Sequence, residues 1–297
     1  MNLMEAAGFY LFYITNWIIT LLPLQILYIF SDIFYIFLYY FPGYRRDVVR
    51  TNLKNSFPEK SEQEIKIIEK AFYKHLADLF IETLKLTHMS SRQIKRRFQV
   101  ENPEVLSRLK AEGKDLIAVF GHYNNWEYTA ALPCYTDYKC ITIYKPLKNK
   151  YFDRFLNGLR KQYGLTLTPM SSILRELVEE RKNGIRTLSG FIADQIPSKK
   201  DINYWTTFLN QETAVFLGVE KIAAKYDMAV VFFKHQKVKR GYYRMKIEVL
   251  VEHPDRESGH SITEAHVKRL EEIIREEPQY WIWSHRRWKY KKEQQDG

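Results

Sequence analysis

Apolar residues fall along this chain in three regimes. From Ala6 to Phe41 they run almost without a break, and Asp32 is the only formal charge in that stretch. From Ser61 to about Leu86 they recur at helical spacing behind Ser61-Glu-Gln-Glu64, the pattern of a capping box, so one long amphipathic helix is expected there. Ser91 to Leu109 is polar and basic and predicts two short helices. From Asp115 onward short apolar runs alternate with amphipathic stretches. The runs predict strands at Leu116–Phe120, Cys140–Tyr144, Ile185–Ala193, Ala229–Phe233 and Met245–Val251. The stretches predict helices at Asn125–Leu132, Lys150–Tyr163, Ser172–Arg181, Val215–Tyr226 and Ser261–Glu276. Alternation of this kind predicts an α/β fold, a mainly parallel mixed sheet covered by helices.

The first apolar segment changes the picture. Ala6 to Phe30 is long enough to cross a hydrocarbon core of about 30 Å, and Pro23 and Asp32 argue for a second, interfacial piece around Ile33 to Tyr40. The expectation is a hydrophobic membrane-anchor helix over residues 1–42, a catalytic domain over 43–290, and a disordered tail over 291–297. Arg45, Arg46, Arg50 and Lys54 follow the anchor directly, which places the domain on the cytoplasmic face by the positive-inside rule. The segment lacks the basic start and small-residue cleavage site of a secretory signal.

Composition narrows the chemistry. Of 297 residues 45% are apolar, an ordinary share, but 15% are aromatic and the net charge is +11. A basic, aromatic-rich chain suits an anionic membrane surface or nucleic acid; the apolar N-terminus favours the membrane, and no nucleic-acid partner is expected. The only cysteines, Cys134 and Cys140, have no zinc spacing, so no metal is expected and they read as buried thiols. Neither GxxxxGK[ST] nor GxGxxG is present, and no cofactor is expected.

The candidate chemistry is His122 and Glu127. His122 follows the strand Leu116–Phe120 and Gly121, at a strand's carboxyl end, where open α/β sheets keep their sites. Glu127 in the next turn is expected to orient the imidazole as a general base for a hydroxyl. The plain alternative is a capping box of Asn124 with Glu127.

Several segments in order, Arg50-Thr-Asn52-Leu53 with Phe57-Pro58, Gly121-His122-x4-Glu127, Tyr144-Lys145-Pro146-Leu-Lys-Asn149, Arg160-x3-Gly164, Asp194-Gln195, and Pro278 through Tyr280, His285, Arg287 and Lys289, carry a resemblance over nearly the whole chain. The chain resembles the bacterial lipid A secondary acyltransferases, the lauroyl and myristoyl transferases of lipopolysaccharide biosynthesis, within the lysophospholipid acyltransferase group. Lys145 stands where relatives often have arginine, and Leu217-Gly218 where many carry threonine-glycine. The resemblance implies a glycerolipid acyltransferase-like fold and transfer of an acyl chain from an acyl carrier protein thioester to a hydroxyl of a lipid A precursor at the inner membrane. No serine motif suggests an acyl-enzyme.

For the oxyanion, Arg160 is the first side-chain candidate and Lys145 the second. Asp194, with Gln195 in the segment that resembles the family's Asp-Gln, either orders the site or pairs with a basic side chain, or is a plain N-cap or loop residue. Asn149 is either a substrate contact or the N-cap of the following helix. Arg287 is expected among lipid headgroups while some of the nearby tryptophans pack in the core. The rival readings are a same-fold acyltransferase for another lipid acceptor, and a catalytically silent lipid-binding or scaffold protein.

Overall fold

A computed structural model describes residues 3–41 and 43–292 of the chain. In chain order the elements are helices α1 (Leu3–Ile19), α2 (Leu24–Tyr40), α3 (Arg46–Ser56), α4 (Glu62–Lys85) and α5 (Ser91–Arg97), strand β1 (Phe98–Val100), α6 (Glu104–Ala111), β2 (Leu116–Phe120), β3 (Lys139–Tyr144), α7 (Lys150–Lys161), β4 (Thr166–Pro169), α8 (Ile173–Lys182), β5 (Thr187–Ile192), β6 (Tyr204–Phe208), β7 (Gln211–Val215), α9 (Gly218–Tyr226), β8 (Ala229–Lys239), β9 (Tyr242–Val251) and α10 (Ser261–Glu276).

Seven strands form one sheet in the order β1-β9-β8-β2-β5-β3-β4, and β6 and β7 form a separate antiparallel hairpin. Every pairing in the large sheet is parallel except β8 with β9, a hairpin closed at Gly241 (φ 75°). The fold is therefore α/β with a mainly parallel mixed sheet covered by helices, as the alternation of runs implies.

Strand β2 lies inside the sheet and is buried along its whole length, which is why it reads as a continuous apolar run rather than an alternating one. Its period of two still sorts the side chains. Leu116, Ala118 and Phe120 face a core with Leu188, Val231, Phe233, Tyr128, Leu132 and Leu159. Ile117 and Val119 face another with Ile173, Leu177, Val219, Ile222 and Ile262. A third cluster ties Leu53, Phe57, Phe72, Tyr123, Phe208, Trp281 and Trp283 together, so α3, α4 and the C-terminal segment pack beside the sheet.

The N-terminus departs from the expected spanning anchor. Two helices of 17 residues each replace it, broken where Pro23 lacks the N–H that would continue the first. Among the described residues no helix is long and apolar enough to cross a membrane. Polar contacts hold the pair along the domain. Asn16 donates to Thr87 (3.1 Å), and the Lys85 ammonium donates to the carbonyls of Thr20 (2.6 Å) and Leu22 (3.0 Å) at the bend. Tyr28 donates to Glu82 (2.8 Å), Ser31 to Asp78 (2.7 Å), and Asp32 pairs with Arg240 (2.6 Å). Phe9 stacks on Tyr151 of α7 with centroids 5.2 Å apart. The outer face stays apolar, with Leu11 70% and Ile29 60% exposed. Residues 293–297 of the expected tail lie outside the described residues.

Candidate active site

The register of two neighbouring parallel strands builds the site. Phe120, the last residue of β2, pairs with Ile192, the last of β5. Two residues beyond each end stand His122 and Asp194. The His122 backbone N–H donates to Asp194 Oδ2 (2.7 Å), and His122 Nδ1 lies 2.7 Å from Asp194 Oδ1. Gly121 suits the step between strand and histidine, because a Cβ there would meet the Leu270 Cδ1 methyl at 2.7 Å and Asp194 Oδ2 at 3.1 Å and would push the packed Leu270 side chain aside. The turn continues through Asn124 in the left-handed region (φ 54°), which asparagine tolerates. That turn is tied down by Asn124 N–H to the Tyr280 carbonyl (2.9 Å) and Asn124 Nδ2 to the His235 carbonyl (3.1 Å).

Asp194 is fully desolvated, and it accepts a third hydrogen bond from Trp281 Nε1 (2.8 Å). Burial pushes its carboxyl up, but the charge of His122 and the hydrogen bonds from His122 and Trp281 outweigh burial and hold it below the usual carboxylate range. With a carboxylate on Nδ1, that nitrogen carries the proton, and Nε2 keeps a lone pair toward the cavity. Gln195 Nε2 sits 3.5 Å from it.

Glu127 therefore does not orient the imidazole, contrary to the expectation from its nearness in sequence. It is gripped by both arms of Arg160, Nε to Oε2 at 2.9 Å and Nη2 to Oε1 at 2.6 Å. Burial raises the Glu127 carboxyl, and Arg160 and the nearby His122 charge together hold it lowered. The physical reason is local shape. Asn125, not Asn124, caps the following turn, its side chain accepting from Tyr128 N–H (3.2 Å), and Trp126–Cys134 winds as a 3₁₀ helix rather than the expected α-helix. Glu127 then points at α7, where Arg160 waits. Two nitrogens of Arg160, Nε and Nη2, are therefore committed to Glu127, which fixes the direction in which its guanidinium faces the cavity.

His122, Glu127, Arg160, Lys145 and Gln195 all line one cavity of ≈ 780 Å³. Its inner wall is apolar, with Leu132, Cys140, Leu188 and Phe233, and Lys145 is exposed in its lining. Asn149 is an N-cap, accepting from Tyr151 N–H (3.0 Å) and Phe152 N–H (3.2 Å), and is not part of that lining. Arg287 is 2% exposed and so does not reach a lipid headgroup; its guanidinium donates to the Ala214 carbonyl (2.8 Å). Trp281 and Trp283 are core residues. Among the described residues, the grouping of Asp227, His253 and Asp255 has ligand-type atoms close together. The Lys114 ammonium is already bonded to Asp227 (2.7 Å) and His253 (3.2 Å), and that charge opposes a cation.

Distant motif segments converge behind the site. Asn52 Nδ2 donates to the carbonyls of Trp283 (2.9 Å) and His285 (3.0 Å), and Arg45 to that of Ser284 (3.0 Å). His285 Nε2 in turn accepts from Ile196 N–H (3.4 Å), next to Gln195. None of the curated proteins compared with the chain matches it. The model of the family described as bacterial lipid A biosynthesis acyltransferase matches residues 1–290, from α1 through the C-terminal segment behind the site. A match across nearly the whole length, including every residue of the His122 cavity, assigns the chain: it belongs to the bacterial lipid A biosynthesis acyltransferase family, whose members are O-acyltransferases.

Proposed function

We propose that the protein transfers a fatty acyl chain from an acyl carrier protein thioester to a hydroxyl of a lipid A precursor, with His122 as general base and Asp194 as its orienting carboxylate. The observation that carries this reading is the His122–Asp194 pair at the rim of a cavity with an apolar interior. His122 Nε2 takes the proton of the acceptor hydroxyl as its oxygen attacks the thioester carbonyl carbon. Collapse of the tetrahedral intermediate expels the carrier's thiolate, which recovers that proton from the imidazolium. Base assistance of this kind is worth about 10²–10⁴ in rate. Arg160, pre-oriented by Glu127, offers its charge to an anion in the cavity, either the oxyanion or an acceptor phosphate.

The same reading places the protein at the cytoplasmic face of a bacterial inner membrane. The exposed face of α1 and α2 supports an in-plane seat in one leaflet, since the bend at Thr20–Leu22 is bonded to Lys85 of the domain. Exposed Lys145, Lys148 and Lys150, of which Lys145 lines the cavity, suit an acidic carrier or a phosphorylated lipid. The test is an assay in liposomes with carrier protein charged with several chain lengths and a tetra-acylated lipid A precursor. A penta-acyl product lost in His122→Gln is the expected result. Product formed undiminished by His122→Gln sinks the mechanism, and no product from folded wild type sends the search to other lipid acceptors.

A further inference from the structure

Arg287 is a buried cation without a carboxylate partner in salt-bridge reach among the described residues. Its side chain makes one hydrogen bond, to the Ala214 carbonyl, and its Nε is buried with no partner. It shares a small cavity, ≈ 10 Å³, with Asp194 and His266, whose Nε2 is also unpartnered. That is room for about one water between the guanidinium and the carboxylate. An isolated buried charge is costly unless another charge compensates it, and Asp194 is the opposite charge lining the same cavity. Its own oxygens are taken up by His122 and Trp281, so the two interact across the gap rather than by contact.

We propose that Arg287 is a positioning residue for this site, keeping Asp194 a carboxylate and thereby fixing the tautomer and the basicity of His122. The inference rests on the reading of His122 as the base. Burial lowers the Arg287 guanidinium to about 10, and the charge of Asp194 opposes that fall. The other groups facing this pair are His266 from α10 and His285 and Lys289 from the C-terminal segment, with Glu127 and Arg160 on the far side of His122. Burial pushes His266 and His285 down to about 4, so both are neutral near pH 7 and add no second positive charge beside Arg287. A cation beside the His122–Asp194 pair weakens the pair's hold on its proton, and removing the cation strengthens it.

The test is the titration of His122, followed by NMR of ring-labelled histidine in detergent-solubilised full chain and assigned by its loss in His122→Gln. In Arg287→Met the midpoint is expected to rise by about 0.5–1 pH unit. Arg287→Lys is expected to return it near the wild-type value. If acyl transfer is present, the acid limb of kcat/KM moves by the same amount. A purely structural role for Arg287 predicts an unmoved midpoint in both variants and overturns the proposal. A shifted midpoint in protein that transfers no acyl chain would preserve the electrostatic link and discard the catalytic reading. Should Arg287→Met fail to fold, Arg287→Met with Asp194→Asn is the second variant. Restored folded yield supports the pairing of the two charges, and no restoration overturns it.

Discussion

Oδ1 of Asp194 lies 2.7 Å from Nδ1 of His122, and each residue stands two positions beyond the register-paired ends of neighbouring strands. Asp194→Asn keeps the shape and removes the charge that stabilises the imidazolium. It also leaves three donors with a weaker acceptor. kcat is expected to fall about 10²–10⁴-fold with KM little changed. Initial rates across donor concentrations, taken with thermal melts, check this. A fall under about tenfold in folded protein would return the orienting role to another group.

The Glu127–Arg160 pair makes a separate prediction because it is a held fork rather than part of the His122 hydrogen-bond pair. Glu127→Gln leaves the Arg160 charge in a largely enclosed site. The Arg160 side chain keeps 27% exposure, so the cost is set at about 1–3 kcal/mol, below that of a fully buried pair. Combining Glu127→Gln with Arg160→Gln is expected to be less damaging than the sum of the single changes by about 1 kcal/mol or more. Urea unfolding of the four proteins gives the coupling, and additive effects would mean the two side chains do not depend on each other.

These two pairs mark where the sequence was readable and where it was not. Strand β2 and the position of His122 at its end followed from an apolar run and one glycine. The expected helices after Lys150, Ser172 and Ser261 exist because their amphipathic faces cover a sheet whose strands alternate with them. The sequence points to Asp194 as a site residue but offers Glu127, not Asp194, as the carboxylate on His122: parallel register joins residues 72 positions apart, and no local spacing encodes that. Arg287 was misplaced for a related reason. A cationic, tryptophan-rich segment reads as surface, and only the folded chain shows that Asn52 and Arg45 draw it inward by hydrogen-bonding its carbonyls. The short strands β1, β4, β6 and β7 are not legible because, unlike the equally short β2, their three to five residues mix polar with apolar and form no continuous apolar run.

Gly190 of β5 lines the cavity, and an added Cβ would meet Thr142 Oγ1 at 2.8 Å and the Phe120 ring at 3.4 Å. If the acyl chain runs along this wall, Gly190→Ala removes space for part of it. Each methylene left unburied is worth about 0.8 kcal/mol, so the ratio of long-chain to short-chain kcat/KM is expected to fall about tenfold for a loss of two. Competition between carrier-bound chains of different lengths measures this ratio directly. An unchanged ratio in active protein would place the chain elsewhere in the cavity.

The apolar face of α1 and α2 can be challenged without touching the core, since Leu11 and Ile29 are 70% and 60% exposed. Leu11→Asp and Ile29→Asp are each expected to weaken binding to anionic vesicles about tenfold or more, given about 1.5–3 kcal/mol for one buried aliphatic side chain. Melting temperatures should hold, because neither residue packs in the interior. Vesicle sedimentation reads the first quantity and circular dichroism the second. Unaltered sedimentation in both variants would move the membrane contact off this pair of helices.

Acid should unfold this protein early, for reasons that lie in its histidines. Burial pushes His75 and His235 down to about 3 and His266 and His285 down to about 4. In the unfolded chain each takes a proton near the ordinary value of about 6.5; in the fold each stays neutral until far lower pH. Between about 6.5 and the folded values the unfolded state binds more protons, so stability falls as pH falls, by about 1.4 kcal/mol per unit for each histidine. His235 is the cleanest one to remove. It is 1% exposed, its ring contacts Thr129 Oγ1 at 2.9 Å, and it lies beneath the Asn124 turn. His235→Gln keeps a polar partner for Thr129 and cannot titrate. Urea unfolding at pH 6.0, 5.5 and 5.0 should give a slope of stability against pH shallower than wild type by about 1.4 kcal/mol per unit, whatever the variant costs at pH 7. Parallel slopes would mean that His235 takes up its proton equally in the folded and unfolded states, and its burial would then have no bearing on acid stability.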